Sequence, residues 1–399
     1  MTHLPGCLPT DRFARPEYKN FDFTRHNAEQ PALWAEFNAG RPPKRTPITL
    51  GTNTRYFIFN ESANPDGLDF RAFSEDPDVM FDMLLQFRRW SRFNLLQDAE
   101  LGLPEKWIIG PDFQNYHEAA WFGCKIHYLP GQVPDTQPDF SDAPERILQN
   151  GLPDPFGGLL ARGLEFWKHF KARASRETYL GRPIEVNAPG FGMGTDGPLT
   201  VACNLFGADF VCETMAGDPE LLHKLLDFIT EATIRRITAW RKLACLPVPQ
   251  KDFGFADDSV ALISTAMYRE HVLPHHRRLC DTLGDLSSPR SIHLCGDSTR
   301  HFRTLVDELN IQAFDTGFPV DFGALRRELG PSIRIQGGPH VDFLMRATPA
   351  EVRAEVHRIL QTGILDGGLF MLREGNNLAP HTPMENTEAL YRAGREVAG

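Results

Sequence analysis

The sequence predicts an α/β fold built on a parallel sheet covered by helices. Three observations predict it. From about residue 180 onward, short apolar runs ending in Gly, Asp or Asn alternate with helical patterns, the order of a parallel sheet. The helical stretches open with capping residues followed by proline. The ends of the apolar runs collect polar residues: Asp112, Asp257, Asp258, His293, Cys295, Asp297, Asp315, His340, Arg373, Glu374 and Asn376. Ligands of α/β proteins sit at the C-terminal ends of the strands, in closed barrels and in open doubly wound sheets alike. The expected strands number eight, two early and six late. An eight-stranded barrel fits the length, and a doubly wound sheet is the other arrangement.

Taken in order, TPITLGT (46–52) and KWIIGPDF (106–113) read as strands, and residues 77–97 as a helix. Residues 129–160 are rich in Pro, Gly and Asp and read as an insertion loop. The later strands are PIEVNAPG (183–190), DFGFADDS (252–259), SIHLCGD (291–297), IQAFDTGF (311–318), IRIQGGPH (333–340) and LFMLREGN (369–376). Asp218-Pro219 opens a long amphipathic helix running to about residue 243. Thr348-Pro-Ala-Glu351 and Thr382-Pro-Met-Glu385 both read as capping boxes with proline at the first helical position.

Composition excludes several classes. The 399 residues are 41% hydrophobic and carry a formal net charge of −10. No basic block is present to displace counterions, so nucleic acid and anionic membranes are not expected partners. No apolar run approaches the ~20 residues of a membrane span, and the N-terminus lacks a signal-peptide core. A cytoplasmic protein with reduced thiols is expected, because the seven cysteines are scattered, odd in number and without a CxxC pair. A homodimer is one allowed assembly.

Among the motifs, His293 and Cys295 stand two apart on a strand and project to the same side. Imidazole and thiolate form half of a zinc ligand set, which needs at least three protein ligands. Two core residues on one strand face is the plain alternative. Asp257 and Asp258 are adjacent, so one faces the strand mouth and the other caps a helix or pairs with a cation. Asp258, Asp315 and His340 are the candidate acids, bases or catalytic groups. Asp112, Asn115, His117 and Trp121, in GPDFQNYHEAAWFGC (110–124), suit a substrate pocket or a packed aromatic loop. GMGTDG (192–197) matches GxGxxG, but a dinucleotide site also needs an acidic residue about 20 positions on at the end of the next strand, and positions 213–220 fall at the end of one helix and the start of another. It reads as a loop-to-helix turn with Asp196 near a cap and backbone amides open to an anion. His271 and His275, interrupted by Pro274, read as a basic helix end.

The spacing of GPLTVACNLFG (197–207), DPELLHKLLDFITEATI (218–234), DDSVALISTAMYREHVLPHHRRL (257–279), IHLCGD (292–297), FDTG (314–317), IQGG (335–338), RATPAEVRAEVHRIL (346–360) and LREGNNLAPHTPMENTEAL (372–390) resembles the uroporphyrinogen decarboxylase superfamily. The resemblance is closest to its corrinoid- and thiol-dependent methyltransferase branch. It implies a TIM (β/α)8 barrel over residues 46–399, after an N-terminal extension of residues 1–45. The Arg-Gln-Ala-Gly-Arg-Tyr element with which true decarboxylases grip porphyrinogen carboxylates is absent; AGRPPKRTPITLGTNTRY (39–56) stands there, and Arg55 alone does not replace it. The methyltransferase branch binds zinc through His-x-Cys and a later cysteine after a glycine. His293 and Cys295 match, whereas Asn376 occupies the third position.

Asp258, Glu374 and His340 are candidates to complete the ligand set, with Glu374 the one assigned beside His293 and Cys295. Arg55, Arg373 and Asn376 join Asp112, Asn115 and His117 as expected substrate contacts. The implied reaction moves a methyl group from a small methylated substrate to a thiol, a corrinoid or a folate, with zinc assisting and a corrinoid protein as a partner. A metal-free decarboxylase of a smaller acid and a non-catalytic ligand-binding barrel are the two other readings.

Overall fold

The computed structural model describes residues 21–61 and 63–397. Seven of the eight expected strands are present: β1 (Trp107–Ile109), β2 (Arg182–Val186), β3 (Gly254–Ala256), β4 (Arg290–Leu294), β5 (Ile311–Thr316), β6 (Arg334–Gly337) and β7 (Phe370–Leu372). The helices that position the site and frame the fold are α1 (Pro77–Asn94), α2 (His117–Phe122), α3 (Pro198–Phe206), α4 (Pro219–Leu243), α5 (Leu273–Leu283), α6 (Pro349–Leu360) and α7 (Met384–Glu396). The described residues divide into two compact units.

The first unit comprises residues 21–109, 171–187 and 316–397. Within it β1 pairs in parallel with β2, and β6 with β7 in the register Ile335↔Phe370 and Gly337↔Leu372. The eighth expected strand, residues 46–52, is reduced to a single parallel bridge between Ile48 and Leu372. Its reason is chemical. The Thr49 amide donates to Leu372, but the amides of Ile48 and Leu50 are taken by the side chains of Asp98 and Gln97. A segment whose alternate amides go to side chains has no free edge for a second strand.

The described part of the N-terminal extension forms a helix, Phe23–Asn38, and residues 1–20 lie outside the described residues. Asn27 exchanges two hydrogen bonds with the backbone of Leu101, and Trp34 Nε1 donates to the Asp98 carbonyl at 2.7 Å. The Thr348 box is formed, with its hydroxyl and the Glu351 carboxylate satisfying each other's backbone amides at the start of α6. The Thr382 box is not. α7 begins two residues later, and the Thr382 hydroxyl donates to the Ala379 carbonyl instead.

The second unit comprises residues 110–170 and 188–315. β3 and β4 pair in parallel with Phe255 opposite Ile292 and Ala256 opposite His293, and β5 is the other neighbour of β4. The long helix α4 buries Leu222, Leu225, Leu226, Ile229, Thr233, Ile237 and Trp240, a three-and-four spacing along one face. Each fully buried Leu or Ile contributes roughly 1.5–3 kcal/mol against exposure. Asp218 caps α4 by accepting from the Leu221 amide, as its sequence predicts. The expected insertion holds a short helix, Glu145–Gln149, and a two-residue strand, Asp135–Thr136, paired antiparallel with Ile126–His127.

The six described cysteines form no disulfide. No single helix among the described residues is long and apolar enough to cross a membrane.

Candidate functional site

β4 builds the centre of the site. Its alternation buries Ile292 and Leu294 and turns His293 to the other side, where Cys295 follows just past the strand end. His293 Nε2 lies 3.1 Å from Cys295 Sγ, and its Nδ1 lies 3.0 Å from Asp315 Oδ2 at the end of β5. From the end of β3, Asp258 Oδ1 accepts the Cys295 amide at 2.6 Å and stands 3.9 Å from His293 Nε2. One nitrogen, one sulfur and one carboxylate oxygen from Asp258, His293 and Cys295 lie within 4.8 Å of one another. Gly296, at φ 72°, turns the chain away immediately after Cys295 in a conformation that L side chains rarely adopt.

The electrostatics follow from the contacts. Burial pushes the His293 imidazole down, but its bonds to Asp315 and Cys295 outweigh this and raise it to about 10. Burial raises the Asp258 carboxyl, against the lowering pull of His293 and the Cys295 amide. The donor set fits a borderline metal such as zinc, which takes imidazole, thiolate and carboxylate in a tetrahedral shell with one position left for another ligand. Asp315 on the far ring nitrogen is the carboxylate that holds such a histidine in place.

The two adjacent aspartates divide as expected. Asp257 is fully buried and faces away from the cluster, while Asp258 joins it. Asp257 accepts from the amides of Leu199 and Thr200 in the first turn of α3. The anion at this helix start is thus a side chain of the protein itself, and the amides that hold it belong to α3 rather than to the GMGTDG turn. Asp196 is not the cap of α3. Gly197 holds that position without a side-chain bond, and the Asp196 amide donates to Glu118 Oε2 at 2.6 Å.

Glu118 was not foreseen. It is buried on α2 and forms an ion pair with the equally buried Arg236 of α4, whose guanidinium also donates to the Phe191 and Gly194 carbonyls. An acid inside the apolar stretch HEAAWF is the one sign of it in the sequence. Burial, with Glu118 and Asp258 nearby, raises Asp196 to about 7.

The remaining expected residues have these surroundings. Asp112 accepts from the Gln114 amide and side chain, Asn115 is exposed, and His117 Nδ1 donates to the Gln114 carbonyl with its Nε2 buried and without a hydrogen-bond partner. Trp121 is packed, its indole donating to Asp154, so this stretch is in large part the aromatic loop alternative. Arg55 lies on the short helix Thr54–Ile58 and is half-buried. Asn376 accepts from the Asn377 amide.

Glu374 is not among the three clustered donor residues. Its Oε1 accepts from the Gly51 amide at 2.7 Å and from Arg373 at 2.9 Å, and burial raises its carboxyl to about 7. The donor atoms that gather with His293 and Cys295 are those of Asp258, whose backbone lies beside β4. The His340 ring lies against that of Phe318, tilted by 47° with centroids 4.1 Å apart, and lines a cavity of about 570 Å³ with Phe322, Phe343 and Arg358. His271 and His275 are not a basic helix end. Both are buried beside His223, and burial lowers both imidazoles, His275 to about 4.

Three comparisons bear on this arrangement. The sequence profile of the uroporphyrinogen decarboxylase (URO-D) family matches residues 31–397. A methylated-thiol–coenzyme M methyltransferase from Methanosarcina mazei is 28% identical over 304 residues, 72% of each chain. A uroporphyrinogen decarboxylase from Xanthomonas axonopodis is 24% identical over 88% of this chain and 94% of its own. Among solved structures, a methyltransferase from Methanosarcina mazei superposes with a TM-score of 0.60 at 22% identity, covering 92% of this chain and 98% of its own, and so shares its fold.

Proposed function

This chain belongs to the uroporphyrinogen decarboxylase (URO-D) family, and within that family we propose that it is a methyltransferase holding zinc on Asp258, His293 and Cys295. The observation that carries the reading is the meeting of imidazole, thiol and carboxylate donors within 4.8 Å. The (β/α)8 barrel expected from the sequence is part of this reading, as is the placing of the site at the strand ends. Zinc held there supplies a Lewis acid that favours the thiolate of an acceptor or polarises the heteroatom bearing the methyl group.

The protein's own groups have separable tasks. Asp315 holds the His293 ring by Nδ1 and leaves Nε2 on the Cys295 side. The Cys295 amide fixes the Asp258 carboxylate, and Asp258 replaces the cysteine that Asn376 is not. An oxygen donor in place of a sulfur makes the ion harder and suits an oxygen or nitrogen ligand better than a histidine and two thiolates would. Small methylated compounds are the donors on this reading, with a thiol, a corrinoid or a folate as acceptor. The Methanosarcina relative, whose name pairs a methylated thiol with coenzyme M, supports a thiol.

The second reading is a metal-free decarboxylase. The Xanthomonas relative and the burial-raised carboxyl of Asp258 favour it. Metal analysis of the purified protein separates the two. On the methyltransferase reading the wild type carries close to one zinc per chain, and His293→Ala and Cys295→Ala lose it. Equal zinc in all three proteins sinks the reading, and turnover of a carboxylic acid by metal-free protein establishes the alternative.

A further inference from the structure

We propose that Thr200, Asp257, His276 and Tyr268 form a buried positioning unit that sets Asp258 in the metal site. The inference rests on the metal reading above and goes beyond it, since none of these four residues is among the three clustered donors.

The unit is closed on itself. Asp257, His276 and Tyr268 are all wholly buried. Asp257 Oδ1 accepts from the Thr200 amide at 2.8 Å and the Thr200 hydroxyl at 2.7 Å. Its Oδ2 accepts from the Leu199 amide at 3.1 Å and from His276 Nε2 at 2.8 Å. With Nε2–H donating, His276 Nδ1 is free to accept from the Tyr268 hydroxyl, which lies 3.0 Å away. Proline at 198 provides no amide, so Leu199 and Thr200 present the first available donors of α3. The carboxylate thus meets four donors and the positive end of a helix.

What makes this more than a buried polar cluster is where it attaches. The Thr200 hydroxyl donates to Asp257 and accepts from the Ser259 amide at 2.9 Å. It therefore stitches together the residues on either side of Asp258. The Asp257 amide in turn donates to the His293 carbonyl at 3.2 Å, tying the same turn to the strand that carries the other two ligands. Asp258 has no freedom to move along the chain while both neighbours are held. A carboxylate on a loop otherwise loses the sub-ångström placement that a metal shell requires.

Asp257 cannot be an asparagine on this account. The amide NH2 would face either Thr200 or the Leu199 and His276 donors, and one donor pair would collide. The test uses the full-length protein loaded with cobalt(II), whose visible bands report ligand type and geometry. Affinity is read by chelator competition. Asp257→Asn and His276→Gln are expected to weaken cobalt binding by between about 10- and 100-fold, the effect of losing an outer partner of a ligand, and to shift its bands. Tyr268→Phe removes a single oxygen and keeps the test open where the other two fail to fold; it too is expected to shift the bands. Thr387→Val, which removes a different buried hydroxyl bonded to the Met384 carbonyl, is expected to lose stability and keep the wild-type spectrum.

Wild-type affinity and bands in the folded variants of the unit overturn the proposal. If His293→Ala and Cys295→Ala lose the metal in the same experiment, the metal reading stands and the positioning role alone is rejected. If those two variants also bind as wild type, both are rejected.

Discussion

Asp315 Oδ2 lies 3.0 Å from His293 Nδ1, so the ring nitrogen left on the Cys295 side is Nε2. A histidine ring anchored by a carboxylate has one tautomer and one orientation when its other nitrogen binds a metal. Asp315→Ala is expected to weaken zinc binding by between about 10- and 100-fold, as read by chelator competition. Asp315→Asn, whose amide oxygen still accepts from Nδ1–H, is expected to lose less. Equal affinity in the alanine variant would remove Asp315 from the site.

Glu118 and Arg236 form the buried ion pair behind the 191–197 loop. Removing one member of such a pair leaves an uncompensated charge in a low-dielectric interior. Glu118→Ala is expected to cost about 3–5 kcal/mol in urea unfolding. The Asp196 amide loses its acceptor in the same variant, so hydrogen exchange at residue 196 should rise with it.

The histidine group gives the chain an acid-sensitive seam. The folded state holds His275 at about 4, below the ordinary 6.5, because burial disfavours its charged form. The unfolded chain therefore binds a proton that the folded chain refuses between pH 6.5 and about 4. Stability from this residue is complete above pH 6.5 and lost as pH falls toward 4, by roughly 3 kcal/mol at most. Unfolding midpoints across that window should fall more steeply for the wild type than for His275→Gln. Parallel pH dependences would refute the assignment.

Thr348 and Thr382 stand in the same Thr-Pro-x-Glu pattern and have different fates. Thr348→Ala is expected to destabilise the protein by about 1 kcal/mol, the worth of a helix cap, with Thr348→Ser restoring most of it. At Thr382 the backbone carbonyl accepts from the buried Tyr56 hydroxyl and the side chain bonds Ala379, so no cap energy is there to lose. Thr382→Ser, which keeps the hydroxyl, should unfold at the wild-type urea concentration.

That pair shows where the sequence stops being legible. Period and punctuation are local, so seven strands, the capped start of α4 and the same-side projection of His293 and Cys295 could be read from the chain alone. The split of Asp257 and Asp258 into one inward and one outward carboxylate was also expected, although both lie in the turn just past β3 and not on the strand.

Which donors and acceptors meet across the fold was not. Residues 46–52 have a strand's composition, yet Asp98 and Gln97 claim the amides a second strand needed. Glu374 has the chemistry of a ligand, yet the Gly51 amide and Arg373 hold its Oε1. His271 and His275 look like surface charge until His223 is brought against them from α4. The sequence by itself determined the family, the parallel α/β plan and two of the three clustered donors. Only the tertiary structure decided the third, because Asp258 reaches Cys295 across two paired strands, 37 residues apart in the chain.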